Sequence, residues 1–540
     1  MENNSNPMNG GSQLEVTPKK KSNVKIIAIV AVIVVALFGG VALAANASGM
    51  FKSDKAVVWD AFAGFMEPKE KGTYETVFGY EDLFKLMNTG STEYGMNLKI
   101  EDIADESTAF LKGGELSMDF ATDMENRKVF AGIIAKYSGL EVANLEIFMD
   151  STKIQAAVPT YTDKAFTIDY SKDIKEQITN SPVLSSLVEE TPEGIDAINS
   201  YFDTVKKTMS KDTKIVDYSE IIERFKTTTK ALDNLKESMV VEKTDSKEFE
   251  VNGKKEDCKG YNVTISGEAM VNFVDTTGNF LMEDSLIQEV YWSMVEGYYS
   301  SMSATMGESF DMKKELKDLL EEAKTEMKES LDSVEMVVYV NKNGDLADLK
   351  ADMKFKDETT KVTYEQTFMG GNTNCENTKG VVTIVIDGEE VKVSFDKKGS
   401  FDADVLKTDL DVKVTAAGQN QMNFKYVEDY NTKSEEYNFN LNFAVDADSF
   451  DIIGKGKITD VVKGKSFTAN VDSMMVKYNN TDVVELSGSF YVKPLSKEVT
   501  ELTGTQMDVF AATQEEWMAV YYEIMASAAP ILNELGIPLY

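Results

Sequence analysis

The 540-residue chain has no histidine, two cysteines and two arginines. Without histidine there can be no His-based catalytic triad, no Cys/His zinc site and no ordinary pH switch near neutrality. The commonest general base is missing as well, and the expectation is a protein that is not an enzyme. Arg127 and Arg224 are the only guanidinium forks, so bidentate clamping of carboxylate or phosphate has almost no representatives. Basic charge is scarce overall. Lysine and arginine number 56 against 91 aspartates and glutamates, a formal net charge of −35. Such a surface repels phosphate backbones and excludes nucleic acid as a partner. It also argues against polyanionic ligands and favours solubility outside the cell.

Catalytic signatures are equally thin. No phosphate-binding glycine-rich loop and no Gly-x-Ser-x-Gly elbow occurs. Ser394-Phe395-Asp396-Lys397 fits the Ser-x-x-Lys form of penicillin-recognising enzymes, but its strand-like context and missing companion motifs make it a chance match. Asp446, Asp448 and Asp451, with Asp402 and Asp404, could offer oxygen ligands, yet Phe450 interrupts the calcium-loop spacing and they read as turn acids. No cofactor and no metal is expected. Cys258 and Cys375 both lie in polar, turn-like text, and neither is expected in a core. They could close a long disulfide loop or remain as two free thiols, and sequence leaves both open.

What is present begins at the N-terminus. Lys19, Lys20, Lys21 and Lys25 precede a stretch that is apolar from Ile26 to Ala45 and uncharged to Phe51. About 20 apolar residues span a bilayer core as a helix. The expected layout is a cytoplasmic tail at 1–25, a single-pass signal anchor at 26–48 and an extracellular C-terminal body, with the lysines staying inside. Gly39-Gly40 and Ala42-Leu43-Ala44 also fit a signal-peptide end, which would give a cleaved and secreted form.

The body divides into two α+β lobes, 54–238 and 239–540. In the first, Val57 to Met66 and Tyr80 to Met87 read as helices. Glu115 to Thr122, Arg127 to Tyr137, Leu140 to Met149 and Ala165 to Asp169 read as strands, with helical text from Pro182 to Lys236. The second opens with an Asn252-Gly253 hairpin signal. The alternating strand through Tyr261, Val263 and Ile265 follows, then helices at Asp284–Met302 and Met312–Leu331. From Glu335 to Lys493 the text is a meander of about ten antiparallel strands, each with one covered face. Tyr437, Phe439, Leu441, Phe443 and Val445 alternate there without error. A last helix, Gln506 to Ala528, is expected to cover the apolar side. The predicted fold is thus α+β, with large antiparallel meander sheets curling toward a half-barrel and helices on one face.

Aromatic side chains supply the candidate ligand-facing residues: Trp517 and Tyr521 on the last helix, and Tyr291 and Tyr298 on an earlier one. Helix-to-sheet packing is the simpler account of such stripes.

The anchor, the acidic Lys-rich body and the strand Tyr261-Asn262-Val263-Thr264-Ile265-Ser266 leading into helices resemble uncharacterised membrane-anchored cell-surface proteins of low-GC Gram-positive bacteria. That family has no known function, so the resemblance implies no catalytic residues. In architecture alone, a curled sheet closed by helices is similar to lipoprotein-carrier half-barrels of the LolA and LppX type, which hold acyl chains between sheet and helices. The expected function is an extracytoplasmic, membrane-anchored binding or scaffolding protein of unknown ligand, with an apolar ligand or a protein as its partner. The alternative is a carrier or sensor of an apolar ligand, which needs an apolar cavity of roughly 300 Å³ or more. A carboxylate-dependent wall-glycan hydrolase is the remaining alternative.

Overall fold

A computed structural model of the chain describes residues 53–66, 71–186, 191–215, 218–292, 295, 311–357, 359–371, 373 and 376–535. The predicted anchor at 26–48, Tyr298 and Cys375 lie outside the described residues. Among the described residues no helix is long and apolar enough to cross a membrane.

Twenty strands, counted among the described residues, build one sheet. The first run is β1 (Thr92–Ile103), β2 (Gly114–Asp123), β3 (Lys128–Tyr137), β4 (Leu140–Met149), β5 (Lys153–Ala157) and β6 (Lys164–Asp169). A hairpin follows, β7 (Val240–Val251) and β8 (Lys254–Ser266). The meander begins with β9 (Leu331–Val340), β10 (Leu346–Phe355), β11 (Thr360–Gly370), β12 (Asn377–Ile386) and β13 (Glu389–Asp402). It continues through β14 (Val405–Ala416), β15 (Gln419–Asn431), β16 (Glu436–Val445), β17 (Asp448–Val462), β18 (Ser466–Tyr478) and β19 (Thr481–Pro494), and β20 (Thr505–Asp508) comes last. Asn252-Gly253 and Asp387-Gly388 turn the chain with φ positive at both residues, as tight hairpins require.

Each strand of the meander pairs with its chain neighbour, antiparallel throughout. The first run does the same from β1 to β6. The two runs meet where β1 lies against β19, Thr92 opposite Pro494 and Ile103 opposite Val484. That one long-range pairing makes the sheet about twice as wide as the usual limit for an open sheet. The hairpin extends it at the other end, β8 against β9, and β20 adds the single parallel pair, beside β6.

Residues directly opposite in register point to the same face. Tracing the pairs gives one continuous apolar face, and the helices pack on it in three places. Over β7–β12 lie α1 (Asp54–Met66), α6 (Tyr218–Thr229), α7 (Ala231–Ser238), α8 (Gly267–Glu283) and α9 (Met312–Ser330). Their core joins Trp59, Leu235, Met270 and Met327 to Tyr261, Val338 and Leu349. Over β4–β6 lie α4 (Ile174–Thr179) and α5 (Pro192–Thr208), with Ile174, Ile178 and Ile195 against Met149, Ile154 and Ile168. At the margin of β14–β17, α2 (Thr73–Phe78) and α3 (Tyr80–Thr89) set Phe78 against Leu406, Tyr430 and Tyr437.

The last helix differs from expectation. Thr505–Asp508 is strand, drawn into register with β6, and α10 (Gln514–Glu534) starts only after a capping box formed by Thr513 and Glu516. It packs on β6 and β20 through Met507, Phe166, Trp517 and Val520, at the edge of the sheet and not over the meander. Cys258 is also corrected. It is fully buried as a free thiol in β8. The period that turns Tyr261 to the helices turns Cys258 to the opposite face, where Val251, Ala347, Phe249 and Tyr339 close over it. Helix α8 was not foreseen; the Ser266 hydroxyl accepts from the Ala269 amide and caps it directly off β8.

Candidate binding surfaces

Among the described residues, the apolar face between the helix-covered ends runs bare across β13–β19 and β1–β3. Phe424 stands opposite Phe443, which stands opposite Phe450; beside them Leu441 faces Ile452, and Ile452 faces Val476. The apolar row continues through Leu486 and Ile100 on the next two strands. Under the helices, Val338 and Leu349 are at most 1% exposed, whereas Phe450 is 46%, Leu116 38% and Phe490 37% exposed on the bare stretch. Among the described residues the helices packed here are α2 and α3 alone, at one margin.

Charge is almost absent from this floor. Its register positions hold four charged residues, Glu389, Lys397, Glu428 and Asp448, the first of them exposed at the end of β13. Glu428 is tied up: it accepts hydrogen bonds from the hydroxyls of Tyr74 (2.5 Å) and Tyr426 (2.8 Å), and Tyr74 also meets Thr408 at 2.9 Å. Burial, then the Glu428 carboxylate, pushes both tyrosine hydroxyls well above their usual range, so both stay protonated and can donate. This cluster pins α2 to the sheet. Asp448 accepts from the Tyr478 hydroxyl at 2.5 Å and from Asn479 at 3.2 Å.

The opposite face is polar, laced with pairs such as Lys413–Asp411 and Lys477–Asp482. It carries an open trough of about 470 Å³ whose floor is Val427, Ile453 and Met475 and whose walls include Asp429, Lys455 and Lys477. Ser394 is on this polar face, opposite Lys413, while Lys397 is on the apolar face, opposite Leu410. Three residues apart in a strand, they point in opposite directions and cannot act together. Asp451 accepts from the Asn442 amide at 2.8 Å. Among the described residues no group of three acids or cysteines is placed to hold a metal.

The aromatic candidates fall in two separate places. Trp517 stacks on Phe166, and Tyr521, 54% exposed, meets Tyr522 edge-on, both at the β6/β20 end. Tyr291 is half-exposed and edge-on to Trp292, at the far end beside α8 and α9. Sequence reading missed the floor itself. The signal was there: the 164 residues from Leu331 to Pro494 are strand after strand without a helix to lay over them.

Comparison with family models, with curated proteins and with solved structures found no match to this chain.

Proposed function

We propose that this chain is an exported, membrane-anchored binding and scaffolding protein without a catalytic role, and that it binds through the bare apolar floor. One observation carries the reading: an amphipathic sheet that, among the described residues, is sealed by helices at both ends and left open between them. Ten strands at about 4.8 Å spacing, with roughly 20 Å of apolar depth along each, make a patch on the order of 1,000 Å². Soluble proteins rarely expose apolar patches beyond a few hundred Å² unless something binds there. The carrier alternative, with a ligand held between sheet and helices, is less well supported. The gap between α8 and α9 is about 20 Å³, and Trp59, Met270 and Met327 fill the helix–sheet interior nearby.

An apolar photoreactive diazirine, applied to the full chain in phosphatidylcholine nanodiscs, tests the binding surface. Adducts mapped by mass spectrometry should concentrate on Phe443, Ile452 and Phe450 over Asn440 and Asn442. Equal labelling of the two faces would sink the reading. Protease shaving of intact cells tests export, and should destroy an epitope placed after Tyr540.

A further inference from the structure

Resting on that reading, we infer that the occupant of the bare floor is a basic amphipathic helix, or a pair of them, supplied by another protein. Everything else on this face is covered one helix deep. The flanking helix groups, α1 and α6–α9 over β7–β12 and α4, α5 and α10 at the β4–β6 end, rise from the same face as the floor. Among the described residues they leave between them a recess about 10 Å deep, the thickness of one helix, and about 48 Å long across ten strands. A partner that completes the layer is therefore helical, since helix on sheet is the packing this face already uses.

Two features define the partner's faces. Its inner face is apolar, because Glu428 and Asp448 already accept hydrogen bonds, Glu389 is exposed at the end of β13, and Lys397 is the one other charge at the floor's register positions. Its outer face is basic, because the chain it docks on carries −35. The recess area, on the order of 1,000 Å², exceeds the roughly 800 Å² per partner of a stable interface. A second copy of this chain fits worse. It offers a sheet where a helix is needed, its own flanking helices would meet those of the first copy, and two bodies of −35 repel.

Photo-crosslinking on the full chain in phosphatidylcholine nanodiscs tests this. The variants are Phe443→p-benzoylphenylalanine and Ile452→p-benzoylphenylalanine on the floor, and Asn440→p-benzoylphenylalanine on the polar face. The probes are an 18-residue Leu/Lys amphipathic helix, its Leu/Glu counterpart and a Leu/Lys peptide of scrambled order. The expected result is Leu/Lys adducts at 443 and 452 about tenfold above those at 440, and about tenfold above those of either control peptide. Equal capture of the scrambled or Leu/Glu peptide, or equal capture at 440, overturns the inference. So does a peptide-independent covalent band at twice the 60.0 kDa chain mass, which would make the occupant a second copy. If diazirine labels the floor but no peptide is captured there, the helical partner falls and the binding surface stands. If neither reagent prefers the floor, both fall.

Discussion

Trp517 stacks on Phe166 with ring planes 3° apart and centroids 5.7 Å apart. This contact joins the last helix to a strand about 350 residues earlier and holds α10 on β6 and β20. Trp517→Ala removes most of that contact at a half-buried site, and the expected cost is about 1–3 kcal/mol. The loss is local. Hydrogen exchange should quicken in α10 and β20 while β14–β18 keep their protection. Uniform loss across the sheet would show that α10 is not a separate cooperative unit.

Gly454 and Gly456 in β17 test the single-layer region from inside. A Cβ at 454 would stand 2.2 Å from the Phe439 ring, and one at 456 would stand 1.8 Å from the Asn470 carbonyl oxygen. The ring borders the open floor and can swing aside, so Gly454→Ala should cost about 1 kcal/mol. The carbonyl belongs to the neighbouring strand at a bulge between Lys455 and Gly456, and cannot move without parting β17 from β18. Gly456→Ala should therefore cost about 2 kcal/mol or more, read as the larger drop in denaturation midpoint. A larger effect at 454 would mean that the Phe439 ring is held as rigidly as backbone.

The strands were legible because alternation is local. Tyr437 to Val445 announces its two faces, and Asn252-Gly253 announces its turn. What period 2 does not announce is whether anything lies on the apolar face. Alternation leads to the expectation of a covered floor because covering is the common fate, while among the described residues the last helix is committed elsewhere. Trp517 and Val520 are spent on β6 and β20. Short elements were lost for a related reason. Thr505–Asp508 and Lys153–Ala157 have too few residues for a period, and their partners across the sheet stabilise them. Cys258 was misjudged because Lys255, Asp257 and Lys259 surround it in sequence. In the fold, Phe249 and Tyr339, 4.8 Å apart, cover its face. Nothing in the sequence could place β1 beside β19, almost 400 residues apart.

Arg224 holds a carboxylate that has little water. Its Nε donates to Asp284 Oδ1 at 3.1 Å and Oδ2 at 3.0 Å, and Nη2 donates to Oδ2 at 2.8 Å. Asp284 also accepts from the amides of Leu286 and Ile287 and starts the helical turn after α8. Burial alone would raise the Asp284 carboxyl; Arg224 and these amides outweigh it and hold the carboxyl below its usual range. Arg224→Ala strands the Asp284 charge and should lower the urea midpoint, an effect moderated because the guanidinium is largely in water. Arg224→Lys should recover less than half of that, since an ammonium cannot reproduce the fork. Full rescue by lysine, measured by urea denaturation, would reduce the contact to simple charge.

The alkaline limit of stability follows from neutral acids that the fold takes out of water, one thiol and a set of tyrosines that includes Tyr74, Tyr80, Tyr426 and Tyr437. Burial, and then the charges of Glu256, Asp257 and Asp348, pushes the Cys258 thiol up to about 11. Burial, and then Glu428, pushes Tyr80 up to about 12; burial, and then Asp472 and Glu428, does the same for Tyr437. Each folded value lies above the value in an unfolded chain, near 8.5 for a thiol and near 10 for a tyrosine. The folded state then holds its protons longer than the unfolded state does. The stability contributed is complete below the unfolded values and drains away as pH rises toward the folded ones. The melting temperature should therefore fall from about pH 8.5, first through Cys258 and, above pH 10, through the tyrosines as well. Cys258→Ala removes the thiol and leaves the tyrosines. It should lower the melting temperature at pH 7 by leaving a small cavity, yet flatten the decline between about pH 8.5 and 11, so that the two curves converge. Parallel curves for wild type and variant across that window would show that the thiol is not buried as the fold places it.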